Sequence, residues 1–163
     1  MATTYKKVTT VGRIEWAKVF ESNREMDGYD GAYLDCEGAY TVTQILTKDE
    51  FDKVKKTGSM KKPIQKRLLD GEIAVKFERK HLVKKKDGTV LPQAGGAPKV
   101  LNADGKLWDL EKDGLIGNGT IAEVTNLVSG FTGEDGKPVA RTSLVKIKIL
   151  ELVPYVREEG EAV

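Results

Sequence analysis

Cysteine and histidine are nearly absent from this sequence of 163 residues, which contains one of each, Cys36 and His81. A single cysteine excludes an intramolecular disulfide framework and favours a reducing compartment. One thiol and one imidazole are too few soft ligands for a structural zinc site, so we expect no bound metal and no cofactor. No apolar run reaches the roughly 18 residues that a membrane-spanning helix needs, and the first residues lack the apolar core of a secretion signal. The composition therefore favours a cytosolic protein that does not associate with a membrane.

Motifs that carry bond-making chemistry are also absent. Gly136-Lys137 lacks the preceding glycine and the following Ser or Thr of a phosphate-binding loop. Residues 117–122 have the spelling G-x-G-x-x-A, but a β pattern follows where a dinucleotide site needs a helix. His81 lies in a basic, strand-like run, which is more typical of a surface residue than of a catalytic base. We therefore expect a protein without enzymatic activity.

Charge is abundant and strongly segregated along the chain. The 27 Lys and Arg residues exceed the 25 Asp and Glu residues by only two, and this balance conceals two opposite blocks. Residues 21–52 contain nine acids and two bases, whereas residues 53–86 contain thirteen bases and three acids. Clustered positive charge repels itself and is usually neutralised by a polyanion. Because the basic block includes a strand-like run, residues 71–83, we expect a rigid cationic surface and a nucleic-acid ligand.

Hydrophobic periodicity predicts a mainly β chain with one short helix and long loops. Strands are predicted over residues 5–20, 38–46, 71–83, 120–131 and 139–156. Thr47-Lys-Asp-Glu50 is a capping box, which predicts a helix over residues 47–57. Five long strands with so little helix favour a five-stranded, OB-fold-like barrel, since closure removes exposed edges. We expect this domain to span residues 1–156, followed by a short, weakly acidic tail over residues 157–163.

Several short patterns resemble the single-stranded DNA-binding proteins of short-tailed lytic phages. These patterns are Trp16-Ala-Lys18, Gly38-Ala-Tyr-Thr-Val42, Ala103-Asp-Gly-Lys106, Ile116-Gly-Asn-Gly119 and Val145-Lys-Ile-Lys-Ile-Leu150. The resemblance covers most of the chain and includes a helix after the second strand. It implies an OB-fold that coats single strands during phage DNA replication and recombination, in the cytoplasm of the infected host cell, and that can anneal complementary strands.

The C-terminus departs from that family. Its members carry a long acidic tail ending in an aromatic residue, which contacts replication partners and competes with DNA. The resemblance therefore implies replisome proteins, such as a DNA polymerase and a helicase-primase, as partners of the C-terminus. This sequence ends instead with Glu158, Glu159, Glu161 and Val163, which leaves open whether its C-terminus contacts replisome proteins.

Binding of a single strand without sequence preference needs cations for the phosphates. In the third strand Phe77 alternates with Lys76 and Lys80, so we expect the phenylalanine in the core and both lysines on the wet face. Arg79 and His81 share the parity of Phe77, so a twist or bulge is needed to expose them. The remaining candidate cations lie at the tip of the following hairpin and on the last strand: Lys84, Lys85, Lys146 and Lys148.

The same binding mode needs aromatic faces on which bases stack. Trp16, Lys18 and Phe20 lie on the same face of the predicted first strand. The lysine among them indicates that this face is exposed to solvent. Trp16 is therefore a candidate base platform, with a place in the core as the alternative. Trp108, between glycine turns, is a second candidate on a loop, whereas the parity of Tyr40 favours the core.

We therefore expect a single-stranded DNA-binding protein. The alternative is a non-catalytic protein-interaction or virion-associated β-barrel whose basic face binds an acidic partner. RNA as the ligand and a homodimer both stay open, whereas no helix suits the major groove of duplex DNA. The sequence also leaves open whether acids such as Asp27, Asp30 and Asp35 mask the basic surface between binding events.

Overall fold

The computed structural model describes residues 4–26, 31, 33–64, 71–84, 87–91 and 95–154, except for the side chain of Asp35. The candidate Lys85, the acids Asp27 and Asp30, and the tail predicted over residues 157–163 lie outside the described residues. The described strands are β1 (Thr4–Lys18), β2 (Ala39–Thr47), β3 (Glu72–Lys80), β4 (Lys99–Leu101), β5 (Thr120–Thr132) and β6 (Pro138–Glu151). The described helices are α1 (Lys48–Lys56) and α2 (Leu110–Asp113), and short 3₁₀ turns span Glu21–Asn23 and Leu34–Cys36. No helix within the described residues is long and apolar enough to cross a membrane.

The predicted mainly β class is confirmed, but the prediction of five strands and one helix is wrong in two details. β4 is a sixth strand between the predicted third and fourth strands, and its three residues are too few to display a period of two. α2 is a second helix of four residues, capped by the side chain of Asp109, which accepts from the backbone N–H groups of Glu111 and Lys112. Both elements are too short for hydrophobic periodicity to reveal.

All six strands form one sheet in the order β3-β2-β1-β5-β6-β4. Neighbouring strands are antiparallel except for β4 and β6, which are parallel. β1 pairs with β5 from Thr4 to Ile14 but with β2 only from Arg13 onward. The two halves of β1 thus belong to different parts of the sheet, and this division lets the sheet curl around a common core.

Alternate residues of the long strands form that core. Tyr40, Phe77, Leu144 and Ile147 are fully buried, and the first two confirm the parity predicted from the sequence. Helix α1 adds Phe51 and Val54 to the same cluster. The capping box predicted at its start is confirmed in part, since the Thr47 hydroxyl accepts a hydrogen bond from the backbone N–H of Glu50 at 3.3 Å.

Arg79 connects β3, at one edge of the sheet, to residues 95–96 and to β6, next to the other edge. Its Nε and Nη2 donate to the carbonyl oxygens of Gly96 and Gly95 at 3.0 and 3.1 Å, and its Nη1 donates to the Ser143 hydroxyl at 3.1 Å. Gly95 has to be glycine, because a Cβ atom there would lie 2.8 Å from the carbonyl oxygen of His81. We call this contact between the end of β3, residues 95–96 and β6 the seam.

Candidate nucleic-acid interface

A cleft of about 210 Å³ lies on the outer face of β1, β2 and β3. Its lining residues are Trp16, Lys18, Glu25, Thr41, Thr43 and Lys76. The two threonines of β2 are nearly fully buried and form the floor. Longer side chains from the neighbouring strands stand on either side, because Lys18 is paired with Thr41 and Lys76 with Thr43. Short residues on a central strand between long residues on its neighbours therefore produce the groove.

Trp16 stands at the rim of this cleft because β1 bulges there. Glu15 pairs with Thr43 and Lys18 with Thr41, so β1 advances three residues while β2 advances two. Trp16 has a φ of 52° and is 63% exposed. The sequence is compatible with Trp16 either as a base platform or as a core residue, and the structure presents the indole to solvent.

The turn before β5 supports the bulge. The backbone N–H of Trp16 donates to the side-chain oxygen of Asn118 at 2.8 Å, and the N–H of Gly119 donates to the carbonyl oxygen of Ile14 at 3.0 Å. On its other side the turn meets the chain after β6, where the N–H of Gly117 donates to the carbonyl oxygen of Val153 at 2.7 Å. A Cβ atom on Gly117 would lie 2.6 Å from that oxygen, so this position requires glycine. The pattern Ile116-Gly-Asn-Gly119 thus holds the Trp16 backbone.

A carboxylate lies between the two lysines of the cleft. Glu25 Oε2 is 3.2 Å from Nζ of Lys76, and Glu25 Oε1 is 4.0 Å from Nζ of Lys18. The backbone of Glu25 is fixed by two hydrogen bonds with Ala39, at 2.9 and 2.8 Å. The sequence identified residues 21–52 as acidic but did not single out Glu25, because its approach to the lysines depends on the fold of the segment between β1 and β2.

The same segment covers part of β3. The Tyr33 hydroxyl donates to the carboxylate of Glu78, and the ring of Tyr33 lies 5.9 Å from Nζ of Lys76. Burial and the hydrogen bond to Glu78 raise the pKa of the Tyr33 hydroxyl above its ordinary value. Glu78 also lies 3.7 Å from Nζ of Lys61. Lys76 is therefore held over an aromatic ring and beside a carboxylate, with its ammonium directed to the cleft.

Four candidates have structural contacts elsewhere. Arg79 holds the seam, and Phe20 packs against the core. His81 Nδ1 lies 2.7 Å from the Tyr40 hydroxyl. Trp108 also packs against the core, and its Nε1 donates to the carbonyl oxygen of Gly114 at 2.9 Å.

The remaining candidate cations lie outside the cleft. Lys80 is exposed at the end of β3, and Lys84 is exposed where it bridges to Val90. Lys146 and Lys148 are on β6, which is separated from β2 by β1 and β5 in the sheet. Of the candidate set, the structure thus brings together Trp16, Lys18 and Lys76. Within the described part of the chain, no group of His, Cys, Asp or Glu residues could hold a metal ion.

Comparison with known proteins relates this fold to two phage proteins. No protein-family model matches the sequence, and no curated protein matches it. The structure of gp2.5, a single-stranded DNA-binding protein encoded by bacteriophage T7, aligns with a TM-score of 0.56 at 15% identity, over 97% of this chain and 93% of that one. The single-stranded DNA-binding protein of bacteriophage Enc34, in complex with single-stranded DNA, aligns with a TM-score of 0.56 at 15% identity, over 90% of this chain and 86% of that one. At this identity the likeness establishes a shared fold, which confirms the OB-fold-like resemblance expected from the sequence.

Proposed function

We propose that this protein binds single-stranded DNA without sequence preference and without catalysis. The observation that carries the proposal is the cleft, which joins an exposed indole, Trp16, to two ammonium groups, Lys18 and Lys76. OB-folds bind oligonucleotides on the face of strands 2 and 3 beside the loop that joins strands 1 and 2. The cleft is lined by residues of β2 and β3 and by Glu25 from the segment between β1 and β2, which supports binding at this face. The shared fold with the Enc34 protein, whose structure contains single-stranded DNA, supports the same ligand.

The cleft combines the two interactions that a single strand requires. A base stacked on Trp16 contributes about 1–3 kcal/mol, irrespective of which base it is. Lys18, Lys76 and the neighbouring Lys80 neutralise phosphates along the strand. Three such contacts give a slope of about −2 for log affinity against log salt concentration. The ion pairs of Glu25 with Lys18 and Lys76 have to break for these phosphate contacts to form.

The biological role that fits such binding is coating of single strands during phage DNA replication and recombination, in the cytoplasm of the infected host cell. Annealing of complementary strands and contacts with replisome proteins belong to the same proposal. The support for this role is the fold shared with gp2.5 of bacteriophage T7. Lys84, Lys146 and Lys148 are part of the proposed binding surface outside the cleft, whereas Phe20, Arg79, His81 and Trp108 support it from within the fold.

The test uses tryptophan fluorescence in a Trp108→Phe variant, in which Trp16 is the single remaining tryptophan. We expect oligo-dT to quench Trp16 in a salt-sensitive manner, and a duplex of equal length to quench it much less. Wild-type protein and Trp16→Phe serve as controls, and the second should lose most of the quenching. Equal binding of oligo-dT and duplex would show that the surface binds polyanions in general and is not selective for single strands. Binding of neither would favour the alternative of a protein-interaction barrel.

A further inference from the structure

The positively charged surface continues from β3 across the seam. The carbonyl oxygen of Lys80 accepts a hydrogen bond from the N–H of Gly96 at 3.0 Å, so residues 95–96 lie beside the end of β3. Lys99 follows Gly96 by three residues, so their Cα atoms are within about 11 Å of each other. The chain thus leads from the outer edge of β3 directly to β4.

β4 and β6 then bring three lysines together. In their parallel register Lys99 pairs with Lys146, and Leu101 pairs with Lys148. Val100 and Ile147, paired between them, are buried in the core. Because side chains alternate along a strand, Lys99, Lys146 and Lys148 lie on the opposite, outer face. We call this group the β4–β6 lysines.

The charge balance at this group differs from that in the cleft. Like charges placed directly opposite each other on neighbouring strands destabilise a sheet. The positive charges of Lys18 and Lys76 are offset by the carboxylate of Glu25. By contrast, no ion pair among the described residues involves the β4–β6 lysines. Glu123 lies opposite Lys148 on β5 without forming such a pair. Binding of a polyanion would relieve this repulsion.

We infer that a bound single strand leaves the cleft past Lys80, crosses the seam and continues over β4 and β6, where Lys99, Lys146 and Lys148 bind its phosphates. This inference rests on the proposed function and extends it, because it gives the direction of the strand and adds Lys99 to the interface. Lysine is a point charge, so this part of the path binds the backbone irrespective of base. Stacking is confined to the cleft end of the path.

The test compares a triple variant, K99Q/K146Q/K148Q, with a control, K56Q/K112Q/K137Q, that removes the same charge from exposed positions elsewhere. Each is titrated with oligo-dT of about 4 and about 16 nucleotides, the limits of the usual range for one OB-fold. We expect the triple variant to bind the longer oligonucleotide more weakly, with a salt slope shallower by about 2. Its affinity for the short oligonucleotide and its Trp16 quenching should match wild type. For the single variant K99Q, the slope of log affinity against log salt concentration should be shallower than that of wild type by about 0.7.

The outcomes separate this inference from the proposed function. In one outcome, wild type binds both oligonucleotides while the triple variant keeps its full preference for the longer one. That result would refute the path over β4 and β6 but would leave the proposed binding in the cleft intact. An equal loss in the control variant would also overturn the path, since general electrostatics would then account for the effect. If wild type binds neither oligonucleotide, the proposed function itself fails.

Discussion

The backbone N–H of Trp16 donates a hydrogen bond of 2.8 Å to the side-chain oxygen of Asn118, 102 residues further along the chain. Trp16 has a φ of 52°, in the left-handed region that bulky residues seldom adopt and that costs about 1–3 kcal/mol. The bulge leaves this N–H without a partner in the β ladder, and Asn118 supplies one. The orientation of the exposed indole therefore depends on the turn before β5.

Replacing Asn118 with alanine should weaken oligo-dT binding severalfold and lower the free energy of unfolding by about 1 kcal/mol. The reason is that the Trp16 N–H loses its acceptor and the strained bulge relaxes. Asn102→Ala is the matched control, because Asn102 accepts from the N–H groups of Asp104 and Lys106 in a turn away from the cleft. That control should lose stability but keep affinity. Equal affinity losses in both variants, measured by fluorescence titration, would refute the role of Asn118.

Replacing Glu25 with glutamine should raise the affinity for oligo-dT about threefold to tenfold. Glu25 is paired with Lys18 and Lys76, which we propose to bind phosphates, and its negative charge repels the DNA strand. Glu21→Gln removes an exposed acid of the same segment and should have a smaller effect. Titration at low salt tests this, and an unchanged or weaker affinity for the Glu25 variant would show that the carboxylate does not compete with DNA.

Arg79→Lys should lower the free energy of unfolding by about 2 kcal/mol. A lysine has no planar fork and cannot reach both glycine carbonyl oxygens and Ser143 together. Arg13→Lys is the comparison, since the Arg13–Glu72 pair is partly exposed and should contribute less than about 1 kcal/mol. Urea unfolding of both variants measures the difference. Equal losses would mean that Arg79 does not hold the seam.

Glu50 should make stability depend on pH. Burial pushes the pKa of its carboxyl up, but the Lys53 ammonium at 2.6 Å and the N–H of Val11 at 2.7 Å outweigh burial and lower the pKa overall. Its contribution is thus fully present above the ordinary pKa of about 4.3 and is lost as the pH falls through the lowered value. We expect the difference in Tm between wild type and Glu50→Gln to be largest near neutral pH and to shrink in acid. A difference that does not vary with pH would contradict this.

Asn126→Leu should raise the free energy of unfolding by about 1–3 kcal/mol. Asn126 is fully buried, and neither polar atom of its side chain has a hydrogen-bond partner in the described structure. Gln44→Leu is the opposite case, because the buried Gln44 amide donates to the carbonyl oxygens of Thr10 and Ala122. That variant should be less stable. Destabilisation by Asn126→Leu would instead indicate a buried water bound to the amide.

Features that depend only on neighbouring residues, such as burial along a strand and the start of a helix, were predictable from the sequence. A period of two buries Phe77 and Tyr40, and the predicted cap at Thr47 starts α1. The positive φ of Trp16 was not predictable in this way, because it depends on a turn that follows more than a hundred residues later. Arg79 has the parity of a core residue, but its role at the seam follows only when β3 meets β6.

β3 and β4 are the two edge strands of the hydrogen-bonded sheet. Lys76 and Lys80 lie on β3 and Lys99 lies on β4, and lysine on an edge strand discourages another chain from adding to the sheet. The residues assigned to phosphates therefore also protect the protein from aggregation. A variant that neutralised all three would be prone to self-association, so weaker DNA binding by such a variant would have to be separated from loss of soluble monomer.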